Sequence, residues 1–195
     1  AALLPRPAAA GARDTPADAR RRGFAGARWP GRLELLEAPR SDGGDTVEVL
    51  LDGAHNAAGA AALGRALDDL RPFLAGGRDA RPAPLTIVWA AMADKDLSAM
   101  LAALAPAAAV RDAHVLCTRV DVPRAADPAE LAAAWRRALP GGIVAIEDDV
   151  DAALDRALRS APGPVLVAGS LYLVGAARAR LVDDPALRDP EPGGA

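Results

Sequence analysis

The chain has 195 residues, the size of one domain, with 51% hydrophobic residues but only 3% aromatic ones. Alanine, leucine and valine must therefore fill the core, which suits closely spaced helices on a sheet. A net charge of −3 argues against a general polyanion-binding surface, and a single cysteine excludes an internal disulfide or a cysteine-rich metal site.

Residues 1–14 are rich in Ala, Pro and Gly and read as a disordered leader. Thr15–Ala27 begins like a capped helix, with Thr15 as N-cap and Pro16 at the first helical position, yet has little to bury. Residues 1–28 thus read as leader and linker, or as the remnant of a preceding domain. The basic-then-apolar order of a signal peptide is missing, and no apolar run approaches the roughly 18 residues of a membrane span. A soluble cytoplasmic protein is the expectation, and a start at Ala1 suggests a fragment.

An alternation of strand and helix follows. Arg32–Glu37 has the period-2 pattern of a half-buried strand, and Thr46–Asp52 is a second, more apolar strand. Ala57–Arg71 places Leu63, Ala66, Leu67 and Leu70 on one helical face, with Pro72 at its end. Next come strand Leu85–Ala91, helix Asp96–Ala105, strand His114–Thr118 and helix Pro128–Leu139 with Asp127 as N-cap. Strand Ile143–Ile146, helix Val150–Ser160, strand Val165–Ala168 and a helix near Leu171–Val182 complete the series, and residues 184–195 read as a disordered tail. Short apolar strands alternating with helices predict an α/β, Rossmann-like, open and mostly parallel sheet with helices on both faces. Cys117, inside an apolar run, is expected to be a buried, inert thiol.

In such folds ligands bind outside the carboxyl ends of the strands. That rule selects four loops: Asp52–Asn56 (DGAHN), Met92–Asp96 (MADKD), Thr118–Ala125 (TRVDVPRA) and Gly169–Tyr172 (GSLY). Asp52 is either a fixed anionic acceptor for a diol or ammonium group, or a turn aspartate. His55 can donate to a carboxylate or act as a base, though a lone histidine also serves structure. Asn56 is a natural helix N-cap. Lys95, between Asp94 and Asp96, is either an anion clamp or a surface lysine paired to its neighbours. Ser170 fits a cap of the last helix, His114 a strand position, and Arg32 and Arg124 are possible anion binders in an arginine-rich chain. No phosphate-binding loop, dinucleotide fingerprint, nucleophile elbow or metal-ligand spacing is present, so no metal ligands are assigned.

Read together, Trp29–Glu34 (WPGRLE), Leu51–Asn56 (LDGAHN), Ala91–Asp96 (AMADKD), Val122–Ala125 (VPRA) and Gly169–Gly175 (GSLYLVG) resemble the C-terminal domain of folylpolyglutamate synthase/dihydrofolate synthase, a branch of the Mur ligase superfamily. The resemblance runs over residues 20–182, with residues 29–183 as the Mur ligase C-terminal-like domain. It implies an ATP-dependent ligase that forms an amide between a folate or dihydropteroate carboxylate and L-glutamate through an acyl phosphate. Most of the ATP and Mg2+ contacts would belong to an N-terminal ATPase domain, without which this chain is expected to be an inactive monomer, with neither nucleic-acid nor membrane partners. By matching positions, Arg32 and Asp52 take the nucleotide side, His55 a catalytic and glutamate-binding role, and Lys95 and Ser170 catalytic and substrate-side roles. Ala57 departs from the proline the family often carries after DGAHN. A Mur-type peptide ligase domain and a non-catalytic Rossmann-like binding module are the alternative readings.

Overall fold

A computed structural model describes residues 29–41, 43–74 and 83–182. The expected leader, the helix at 15–27 and the tail lie outside them.

Among the described residues six strands and five helices follow one another: β1 (Glu34–Pro39), β2 (Thr46–Asp52), α1 (Ala57–Leu70), β3 (Thr86–Trp89), α2 (Leu97–Leu104), β4 (His114–Cys117), α3 (Pro128–Ala138), β5 (Ile143–Ile146), α4 (Val150–Ser160), β6 (Val165–Ala168) and α5 (Leu171–Leu181). Short 3-10 turns at Arg71–Phe73 and Ala108–Val110 extend the helical segments. They carry no apolar period, which is why the sequence pattern missed them.

The sheet order is β1-β2-β6-β3-β4-β5, with β1 antiparallel to β2 and every other neighbouring pair parallel. Alternation along each strand divides the core. Leu50, Ile87, Trp89, Val115 and Leu166 face α1, α2 and α3, whereas Val49, Leu51, Val88, Leu116 and Val167 face α4 and α5. Helices therefore cover both faces, as the continuously apolar strands require. Aromatic packing is confined to few places: Trp89 and Trp135 meet edge to face, with centroids 5.3 Å apart.

Each helix starts at a residue whose side chain accepts a first-turn N–H: Asn56 from Gly59, Asp96 from Ala99, Asp127 from Ala129, Asp149 from Ala152 and Ser170 from Tyr172. Each such cap stabilises its helix by about 1 kcal/mol. The caps expected at Asn56, Asp127 and Ser170 are present, and Cys117 is buried and unpaired.

One element is displaced. The first strand begins at Glu34 rather than Arg32, because residues 29–33 form a turn in which the Arg32 N–H donates to the Trp29 carbonyl at 3.0 Å. Leu33 there has φ +46°, a left-handed conformation that cannot continue a strand. Among the described residues no helix is long and apolar enough to cross a membrane.

Candidate functional site

β6 lies between β2 and β3, and its following helix goes to the opposite sheet face from theirs. This is a topological switch point, where the loops at the strand ends part and leave a crevice. Asp52 and Trp89 both pair with Ala168, so the loops after β2, β3 and β6 leave the sheet at one level. β1 runs antiparallel with Glu34 opposite Leu51, which returns the 29–33 turn to the same edge.

Asp52, 9% exposed, joins two loops there. Its Oδ2 accepts the Leu33 N–H at 3.0 Å and its Oδ1 the Ala54 N–H at 2.9 Å. Two backbone donors on one carboxylate hold the 29–33 turn against DGAHN, and the strained φ of Leu33 is retained by that bond. The Gly53 N–H also donates to the Gly31 carbonyl at 2.8 Å. Gly53 is a close-approach position: a Cβ there would collide with the Arg32 guanidinium and the Leu171 side chain.

The His55 Nδ1 lies 2.8 Å from the Gly53 carbonyl. A carbonyl can only accept, so Nδ1 carries the proton and Nε2 of the neutral ring is the acceptor. Asn56 uses its side-chain oxygen on the Gly59 N–H, as a cap. Arg32, Asp52 and His55 line one open pocket of about 250 Å³, whose apolar wall is Leu33, Ala62 and Leu63.

Lys95 and Ser170 are not part of that lining. Lys95 Nζ pairs with Asp94 at 3.2 Å, and Arg124 Nη1 lies 3.8 Å from the same carboxylate. The Lys95 hydrogen bond holds the Asp94 carboxyl below the usual carboxylate range. The loops meet because the Ala93 N–H donates to the Arg124 carbonyl and the Ala126 N–H to the Ala91 carbonyl, around a Met92–Ala125 bridge. Ser170, 1% exposed, caps α5 with its hydroxyl. The expected loops are thus adjacent, but their side chains form two groups: Arg32, Asp52 and His55 at the β2/β6 end, and Lys95, Asp94 and Arg124 beyond β3.

Sequence reasoning missed Glu34 and Arg178. Glu34 accepts the Gly31 N–H at 2.7 Å and the Arg178 Nε at 3.1 Å on each oxygen. Glu34 stood within the WPGRLE motif; nothing in the pattern marked one arginine of α5.

The fold is Rossmann-like, of the Mur ligase C-terminal type, with a crevice at its switch point. Residues 34–179 match the family described as dihydrofolate synthetase, C-terminal domain, and the chain belongs to that family. It is 38% identical over 167 residues to the Haloferax volcanii protein named "Probable bifunctional folylpolyglutamate synthase/dihydropteroate synthase", covering 85% of this chain and 17% of that one. To the folylpolyglutamate synthase of Lacticaseibacillus casei it is 32% identical, covering 83% of this chain and 32% of the relative. The structure of Mycobacterium tuberculosis folylpolyglutamate synthase complexed with ADP superposes with a TM-score of 0.61 at 32% identity, over 86% of this chain and 36% of that one. The chain thus spans about a third or less of the length of these relatives.

Proposed function

We propose that this domain is the glutamate-side part of an ATP-dependent ligase that joins L-glutamate to a carboxylate of a folate or dihydropteroate. The observation that carries the reading is the convergence of Arg32, Asp52 and His55 on one pocket at the switch point. Membership of the dihydrofolate synthetase family supports it.

ATP, when bound, would give its γ-phosphoryl group to the acceptor carboxylate and leave as ADP; the glutamate amine would then attack the acyl carbon, expelling inorganic phosphate as the amide forms. Arg32 offers the nucleotide phosphates a permanent charge in a fixed turn. Asp52, anchored by two backbone bonds, has remaining lone pairs for ribose hydroxyls. His55 Nε2, set as acceptor by the Nδ1 bond, is the group here suited to take the amine proton. Lys95 and Ser170 would join this chemistry only when another domain closes over the loops that carry them. Among the described residues no three His, Cys, Asp or Glu side chains could hold a metal ion. In this reading the magnesium ion is held mainly by another domain of the full-length protein together with the nucleotide phosphates.

The test is glutamate ligation by the full-length protein that carries this domain. With dihydropteroate or folate it should turn over, with Arg32→Ala raising the ATP KM about tenfold, the size expected for one charged hydrogen bond. His55→Ala should lower kcat, and the 195-residue chain alone should show no turnover. Ligation of UDP-sugar peptides instead, or full activity of the isolated chain, overturns the proposal.

A further inference from the structure

One stripe of the last helix lies along the turn that carries Arg32 and the residues that hold it. Leu171, Val174 and Arg178 are spaced i, i+3, i+7 and share a face of α5. Leu171 lies against Gly53 beside the Arg32 guanidinium. Val174 lies under Gly31, which has φ +68° and whose hypothetical Cβ would fall 2.6 Å from Val174 Cγ1. Arg178 reaches the Glu34 carboxylate, which accepts the Gly31 N–H at 2.7 Å. The Arg178 and Glu34 side chains are only 13% and 18% exposed, so their attraction is weakly screened by solvent.

We infer that Glu34 and Arg178 are a positioning pair for Arg32, coupling α5 to the turn at residues 29–33, so that the guanidinium is held at the lip of the pocket before any ligand arrives. This rests on the proposed role of Arg32 at the nucleotide. The pair makes no contact with the pocket itself and acts by removing freedom from the turn. Glu34 ties Gly31 from one side while Asp52 ties Leu33 from the other, so the intervening Arg32 has both neighbouring backbone N–H groups fixed. Preorganisation of this kind lowers the entropy lost when an anion is bound.

The full-length protein tests this with ATP as the probe. Glu34→Gln keeps an acceptor for the Gly31 N–H but removes the charge. It should raise the ATP KM about fivefold with little change in kcat, by loss of one charge-assisted bond. Arg178→Lys, which restores a cation, should recover part of that affinity relative to Arg178→Met. The decisive reading is the double variant: Glu34→Gln with Arg32→Ala should be no worse than Arg32→Ala alone, because the pair acts only through Arg32. On this chain, amide hydrogen exchange at Gly31 and Leu33 should quicken about tenfold in Glu34→Gln while β3 and β6 stay protected. Additive effects in the double variant, or unchanged exchange at Gly31, overturn the inference and leave the proposed function intact. An Arg32→Ala variant with unchanged ATP KM instead sinks the nucleotide role of Arg32, and the positioning role with it.

Discussion

At the β2/β6 end of the sheet, the Asp52 and Glu34 carboxylates bond backbone N–H groups largely out of water; at the β4/β5 end the capping carboxylates of Asp127 and Asp149 make the same kind of bond at exposed positions. Asp52 and Glu34 hold Leu33, Ala54 and Gly31 in partly or fully buried bonds. Beyond β5, Glu147 pairs with Arg156, while Asp151 and Asp155 pair with Arg180 on exposed surface. The strands differ in the same sense: every residue of β6 is buried, whereas Ile143 and Ile146 of β5 are 57% and 42% exposed. A central strand anchors its loops from both sides, so polar groups there can be desolvated and fixed. β5, at the far edge, has one neighbour and exposed carboxylates in the loop after it, whereas the turn before the edge strand β1 is fixed because Asp52 of β2 and Glu34 tie it down. A site that needs ångström placement belongs beside the central strand.

Substitutions at four positions and one pH measurement break or sharpen that contrast. The largest effect should come from Gly169→Ala, at φ +101°, where a Cβ would lie 2.7 Å from the Trp89 ring. Combined strain and overpacking should cost about 4 kcal/mol, read from the urea midpoint. Asp52→Ala should follow at about 3 kcal/mol, because two N–H groups lose their acceptor; Asp52→Asn should cost less. Both belong to the rigid end.

Cys117, the buried last residue of β4, gives the pH test. Burial pushes its thiol from the usual 9.0 up to about 12. The folded state thus favours the neutral thiol. The stability it contributes is complete below pH 9.0 and is lost as pH rises toward about 12. Wild type should lose more stability between about pH 8, below that window, and about pH 10.5, inside it, than Cys117→Ala does. Equal losses would mean that the thiol ionises as freely folded as unfolded.

At the solvated end the effects should shrink. Gly141→Ala shares a left-handed φ of +85° but meets nothing within 4 Å, so strain alone should cost about 1 kcal/mol. If Gly141→Ala matched Gly169→Ala, the contrast between the two ends would be wrong. Smallest of all, Lys95→Met should change stability by less than about 0.5 kcal/mol, since its partner Asp94 is exposed.

Much of this was legible along the chain. β2, β5, α4 and β6 occupy the spans that apolar periodicity predicts, and the remaining helices differ by one residue at one end or, for α2, at both. The DGAHN loop could be placed at a crevice because the fold class dictates where crevices lie. Less legible was the division of labour within the loops. Lys95 reads identically as clamp or surface pair until Asp94 is seen at 3.2 Å. Asp52 reads identically as ligand group or turn residue until both oxygens are seen on backbone donors.

Strand and helix periods, N-caps and the order of motifs are local, set by residues within a few positions of one another, and the sequence by itself determined them. The start of β1 at Glu34, the left-handed Leu33 and the Glu34–Arg178 pair were decided only in three dimensions. That pair joins residues 144 positions apart, which no local pattern can encode. It exists because β1 folds back beside β2, and α5 leaves β6 on the face where the two charges meet, partly shielded from water.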